Sequence, residues 1–334
     1  MTATGPHPLP QRLIEGYSTF RHNRLPRERE RFEEMARDGQ KPEIMVIACC
    51  DSRVSPEVIF DARPGELFVV RNIANLVPPF APDNGLHGVS AALEFAVQAL
   101  KVKHIVVMGH GRCGGVHAFV RRMRHPTGPH PLPQRLIEGY STFRHNRLPR
   151  ERERFEEMAR DGQKPEIMVI ACCDSRVSPE VIFDARPGEL FVVRNIANLV
   201  PPFAPDNGLH GVSAALEFAV QALKVKHIVV MGHGRCGGVH AFVRRLRHPT
   251  ASDALSPGDF IGRWMTLLSP AAEALPGQNG EDDFDYAERL ARHSIRNSIE
   301  NLLTFPCINI LHSKGRLQLH GAVFDVTTGV LEAL

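Results

Sequence analysis

The sequence predicts an α/β fold, a mainly parallel sheet flanked by helices, in which the front part of the unit is present twice. Three observations carry this expectation. EIMVIACC (43–50), ELFVVRN (66–72) and HIVVMGH (104–110) are short apolar runs that read as buried strands. GVSAALEFAVQAL (88–100) has helical periodicity, and strands alternating with helices imply parallel pairing. Residues 5–127 recur as 128–250, with Met123 exchanged for Leu246 as the one difference. A domain-sized, almost verbatim repeat is no solenoid; it is a recent natural duplication or an artificial one, and the sequence is the same for both origins.

Each copy opens with a charged helical stretch, in which Arg24 to Arg31 alternate with glutamates and read as a solvated helix face. Only the second copy is followed by a tail, 251–334. There DFIGRWMTLLSPAAEAL and DYAERLARHSIRNSIENLLTF read as helices separated by a PGQNGEDDFD loop, the second with Leu290, Ile295, Ile299 and Leu302 at helical spacing. RLQLHGAVFDV (316–326) reads as a strand, TTG as a turn, and VLEAL as a short edge segment. The expected organisation is a truncated copy, 1–127, followed by a complete one, 128–334, made of the repeat 128–250 and the tail 251–334. Lacking the tail, the first copy should leave the edge of its third strand and one sheet face uncovered.

The chain has 334 residues, 43% of them apolar, and a net charge of +3, so real cores are expected and a nucleic-acid stripe is not. No apolar leader follows the first residues and no run of eighteen apolar residues occurs, which reads as a cytoplasmic protein with no membrane partner. Seven cysteines are too few and too oddly numbered for a secreted disulfide scaffold and suit metal ligation in a reducing compartment.

Cys49 stands at the carboxyl end of one strand, and His110 and Cys113 stand at the end of another and in its following turn, where open parallel sheets form sites. Two thiolates and one imidazole leave one tetrahedral position open, the pattern of a catalytic zinc site with water as fourth ligand. Any one of these residues alone would read as packing. Cys50 points to the opposite face from Cys49 and reads as a core residue. The turn GHGRCGG also satisfies G-x-G-x-x-G through Gly109, Gly111 and Gly114, but the Pro-rich GPHPLPQ stands where a ribose-binding acid should follow.

ACCDSRVSPEVIF, GELFVVRNIAN, GVSAALEFAV and GHGRCGG together resemble the β-class carbonic anhydrases, in which C-x-D-S-R and H-x-x-C supply zinc ligands. With LHGAVFDVTTG in the tail, the resemblance spans nearly all of 128–334, whereas 1–127 matches only the front of a subunit. It implies Zn2+ held by Cys49, His110 and Cys113, and again by Cys172, His233 and Cys236. It implies catalytic pairs Asp51–Arg53 and Asp174–Arg176. In the plant-like branch a glutamine and aromatics reach the zinc of a neighbouring subunit, which implies a substrate-binding role for Gln40, Phe68 and Phe95 and for Gln163, Phe191 and Phe218. Phe95 stands where that branch often has tyrosine, which removes a hydroxyl and keeps an apolar wall.

The implied reaction is reversible hydration of carbon dioxide to bicarbonate by a zinc-activated hydroxide. Thiolates weaken the Lewis acid, so activity should rise into alkaline pH. Arg53 would hold Asp51 off the metal through a bidentate pair. Hydrolysis of CS2 or COS on the same site and a non-catalytic zinc-thiolate module are the alternatives. The partner expected is a homo-oligomer or an intrachain pseudo-dimer, in which the junction HPTGPHPLP (125–133) spans on the order of 28 Å when extended at ~3.1 Å per residue.

Overall fold

The computed structural model describes residues 9–81, 85–117, 132–205, 210–249 and 258–334. Residues 125–131 of the junction lie outside the described residues. One eight-stranded sheet runs through the molecule in the order β3-β1-β2-β5-β4-β6-β7-β8. The first copy supplies β1 (Ile44–Cys49), β2 (Leu67–Asn72) and β3 (His104–Met108). The second supplies β4 (Ile167–Cys172), β5 (Leu190–Asn195) and β6 (His227–His233), and the tail adds β7 (Gln318–Phe324) and β8 (Leu331–Ala333). Pairing is parallel within each copy and between β6 and β7. The copies meet where β2 and β5 pair antiparallel at Arg71 and Arg194. Branched apolar residues such as Val46, Ile47, Val169 and Ile170 are buried on both faces, which is why the strands read as unbroken apolar runs.

Helices cover the sheet. In the first copy they are α1 (Gln11–Thr19), α2 (Leu25–Asp38), α3 (Pro56–Ile59), α4 (Gly88–Glu94) and α5 (Gly114–His117). In the second they are α6 (Gln134–Thr142), α7 (Leu148–Asp161), α8 (Pro179–Ile182), α9 (Gly211–Glu217) and α10 (Gly237–Arg247). The tail contributes α11 (Phe260–Met265), α12 (Ser269–Ala274), α13 (Asp283–Leu303) and α14 (Pro306–Ser313). DFIGRWMTLLSPAAEAL is therefore two short helices joined by a 3-10 turn, with a proline in the first turn of the second. α14 had no periodic signal strong enough to announce it. α13 begins where Asp282 accepts the N–H of Asp285 at 2.8 Å, so the end of the expected loop is already helical.

The charged N-terminal helices are more than a solvated face, because each pair packs on the other copy. Arg12 on α1 donates to the carbonyls of Phe183 and Asp184 and to Glu189. Gly16 permits this approach: a Cβ there would lie 1.6 Å from the Phe183 carbonyl oxygen. Arg135 and Gly139 repeat the contact on Phe60, Asp61 and Glu66. The outer surroundings of the two helix pairs differ. Phe20 and Phe32 pack edge-on against Phe324 of the tail, and the Tyr17 hydroxyl joins Gly329 and Leu331, whereas Tyr140 is 45% exposed.

The missing second tail leaves a patch on the first copy. Val97, Ile105, Val107 and Val116 are 42%, 46%, 54% and 41% exposed, while their counterparts Val220, Ile228, Val230 and Val239 are at most 3% exposed. Among the described residues no helix is long and apolar enough to cross a membrane. An open edge strand with apolar side chains is a self-association site. Val107→Lys should lower the concentration-dependent association of the full chain in light scattering, with the fold retained; an unchanged concentration dependence would contradict the account.

Candidate metal centre

Both sites form at the carboxyl ends of strands. In the second copy, Cys172 ends β4, His233 ends β6, and Cys236 precedes α10, so the crossover turns bring residues 64 apart in sequence to one point. The ligand-type atoms of Cys172, His233 and Cys236 lie within 4.8 Å of one another, as do those of Cys49, His110 and Cys113. The sulfur pairs are 4.0 Å and 3.7 Å apart. In each copy Nδ1 of the histidine faces the next residue's carbonyl oxygen, Gly234 at 2.8 Å and Gly111 at 3.0 Å. Nδ1 therefore carries the proton, and Nε2 presents its lone pair to the sulfurs. Both Nε2 atoms are buried without a hydrogen-bond partner. A buried, unsatisfied nitrogen beside two sulfurs fits a tetrahedral metal such as zinc, which takes up all three donors at once.

The second-copy thiols are electrostatically unequal. Burial opposes ionisation of Cys172, but its hydrogen bond with Cys236 holds it well below the usual thiol range. That same bond, together with burial, pushes Cys236 well up. Ala197, in the left-handed region at φ 59, directs its N–H at Cys172 Sγ at 3.3 Å. The adjacent Cys50 and Cys173 are fully buried in the main core, as expected for packing residues.

Asp174 and Arg176 form a closed bidentate pair, with Nε to Oδ1 at 2.8 Å and Nη2 to Oδ2 at 2.7 Å; the Arg176 N–H also reaches Oδ1 at 3.0 Å. Burial alone would raise the Asp174 carboxyl, but the Arg176 charge brings it down to about 2. Its Oδ2 stops 3.9 Å from His233 Nε2, off the ligand set. Asp51 and Arg53 repeat the pair at 2.8 and 2.6 Å, with Oδ2 3.8 Å from His110 Nε2.

The remaining expected residues cross between the copies. Gln163 accepts the Ser52 N–H and hydroxyl at 2.8 Å each and donates to Asp51 Oδ2 at 2.9 Å. Gln40 accepts the Ser175 N–H at 2.8 Å. The Phe68–Phe95 and Phe191–Phe218 ring pairs have centroids 6.0 Å apart. A Cβ on Gly237 would meet Phe95 at 3.4 Å, and one on Gly114 would meet Phe218 at 3.2 Å, so each aromatic pair stands against the other copy's ligand turn.

The family profile described as carbonic anhydrase matches residues 44–162 and again 167–331. The chain belongs to the carbonic anhydrase family. It is 35% identical over 197 residues to the carbonic anhydrase of Synechococcus elongatus, covering 59% of this chain and 69% of the relative. It is 35% identical over 199 residues to the carbonic anhydrase of Pseudomonas aeruginosa, covering 60% and 86%. To the chloroplastic beta carbonic anhydrase 5 of Arabidopsis thaliana it is 38% identical over 174 residues, covering 52% and 55%. Among solved structures, a tetrameric β-carbonic anhydrase of Sordaria macrospora matches at TM-score 0.50 and 31% identity, covering 59% of this chain and 94% of that one. The Coccomyxa β-carbonic anhydrase in complex with acetazolamide matches at 0.51 and 28%, covering 60% and 85%. Carbonic anhydrases hydrate carbon dioxide reversibly, and that is the activity of this chain. The turn GHGRCGG carries His110 and Cys113, which join Cys49 in one Cys–His–Cys group, and this takes the place of a dinucleotide site.

The residues that hold these pieces together carry little signal in the sequence. Arg71 donates to the carbonyls of Cys49 at 3.0 Å and Asp51 at 2.8 Å and pairs with Glu180 of the other copy; Arg194 does the same for Cys172 and Asp174 and pairs with Glu57. A lone arginine inside the apolar run LFVVRN was the available signal. Glu180→Ala should destabilise the fold by about 3–5 kcal/mol in urea unfolding, because it strands a fully buried guanidinium. A loss below 1 kcal/mol would mean that the carbonyl bonds alone satisfy Arg71.

Proposed function

We propose that one chain does the work of a dimer, with two zinc centres, Cys49–His110–Cys113 and Cys172–His233–Cys236, each completed by residues of the other copy. The observation that carries this reading is the crossing of Gln40 to Ser175 and of Gln163 to Ser52 and Asp51, with Phe95 and Phe218 facing the opposite ligand turns. The seven cysteines, all unbridged, support a reducing compartment such as the cytoplasm.

Zinc, when bound, supplies the Lewis acidity that lowers the pKa of water enough to make a nucleophile for carbon dioxide near or above neutral pH. The rest falls to the chain. Arg176 engages both oxygens of Asp174 and keeps the carboxylate away from Cys172, His233 and Cys236, so that it would not compete for a metal held by those three. The Asp174 carboxyl is held down to about 2 by Arg176, so it would be an acceptor throughout the working range, available to orient a water at the metal these residues would hold. Its ionisation contributes no pH dependence near neutrality. Gln40 fixes the backbone of Ser175 between that aspartate and its arginine. The paired rings Phe191–Phe218 and Phe68–Phe95, standing beside the opposite copy's turn, would offer a linear apolar substrate an apolar surface without donors. Arg53 and Asp51 take the same roles in the first copy.

Zinc counting with CO2-hydration stopped flow tests the reading. The full chain should carry two zincs, and Cys49→Ser and Cys172→Ser should each carry one and keep about half the turnover, one of two equivalent centres being removed. Activity lost only with Cys172→Ser would reduce the first copy to a scaffold. The combined Arg53→Ala and Arg176→Ala variant should retain both zincs while turnover falls at least about 100-fold, as when a preorganising group is lost. Unaltered turnover would remove the arginines from the mechanism.

A further inference from the structure

We propose that Glu288 is a positioning residue for the ligand turn His233–Cys236, and that it makes the second copy's centre release its metal more slowly than the first copy's. The inference rests on the reading that both Cys–His–Cys clusters hold zinc.

Between the two ligands the chain passes through Gly234 and Arg235, and Arg235 is held in the left-handed region at φ 55. A non-glycine residue stays there only when its surroundings fix it. Glu288, on α13, supplies such a fixture. Its Oε1 accepts the Arg235 N–H at 2.7 Å and lies 3.2 Å from Nε2 of His240, which is on the helix that starts directly after Cys236. One carboxylate oxygen thus ties the turn between the ligands to the helix that follows them. The second oxygen closes over the turn, since a Cβ on Gly234 would lie 2.9 Å from Oε2. Phe284, one helical turn earlier, lies under the Arg235 guanidinium at 4.9 Å, and that guanidinium also donates to the Ala36 carbonyl at 3.1 Å. These contacts hold His233 and Cys236 at a fixed separation whether or not a metal is present.

The first copy is the internal control. Its turn has the same sequence and the same left-handed residue, Arg112 at φ 53, but the tail occurs once, so Glu288 has no second counterpart. The His110 side chain is 7% exposed where that of His233 is fully buried. Outer hydrogen bonds that orient ligands are typically worth 10–100-fold in metal affinity.

The test follows zinc release from the full, zinc-loaded chain into excess EDTA, counted by mass spectrometry of the protein. Two phases of one zinc each are expected, and Cys49→Ser should remove the fast one. Glu288→Ala should accelerate the slow phase about tenfold or more, while Glu288→Gln, whose amide oxygen still accepts the Arg235 N–H, should largely preserve it. Glu288→Leu replaces the alanine variant where that variant does not fold. A single release phase in the unmodified chain, or a slow phase unchanged in Glu288→Ala or Glu288→Leu, overturns the proposal. Fewer than two zincs per loaded chain overturns the two-centre reading beneath it.

Discussion

Two buried arginines at the middle of the sheet set the terms for everything else. Arg71 and Arg194 face each other where β2 meets β5. Each is held by the backbone carbonyls around its own copy's first cysteine ligand and by a glutamate of the other copy. An ion so deeply buried is tolerable only when every donor finds an acceptor, which here requires both copies at once. The interface and the ligand strands are consequently one structure. Separating the copies would uncover two charged groups and release the carbonyl ends of β1 and β4 together. Backbone bonds from Gly65 to Ser175 and from Gly188 to Ser52, both 2.8 Å, reinforce the same seam.

The fold and the residues that meet in the Cys–His–Cys groups were legible because their causes are local. Apolar β-branched runs ending in cysteine, and a glycine turn carrying histidine and cysteine three apart, keep their meaning in any packing. The strands fall within a residue or two of where their apolar runs are. What escaped the sequence depends on contacts between distant segments. Nothing in QRLIEGY says that α1 crosses to the other copy, because that preference lies in the carbonyls of Phe183 and Asp184, which only the folded second copy presents. The long tail helix was readable to within a few residues, yet its Glu288 was not, since an acid on an amphipathic helix has no marker of its role until the turn it meets is in place. Gln40 and Gln163 illustrate the middle case. Their involvement was expected from the resemblance, but their partners are loop N–H groups and an aspartate in the other copy.

Identical sequences in unlike surroundings make the chain its own comparison. The same HIVVM segment is an interior strand in one copy and the outermost strand in the other, and burial of its side chains follows the neighbour and not the residue. The same holds at the centres, where one histidine is sealed by the tail helices and its twin has a partly open side chain. Intrinsic preference decides which element forms, and tertiary context decides what that element does.

The antiparallel seam between β2 and β5 joins halves of one polypeptide, and this changes its thermodynamics. Association of separate subunits is governed by concentration, so dilution can dissolve an interface of ordinary size. Here the two partners remain within a fixed radius of each other at any dilution, at an effective concentration of order millimolar for a short tether. Assembly is thereby first-order, insensitive to expression level, and stoichiometrically fixed at one front half per complete unit. Substitutions can also accumulate on one side of the seam without appearing on the other, a freedom denied to any symmetric pair of identical chains.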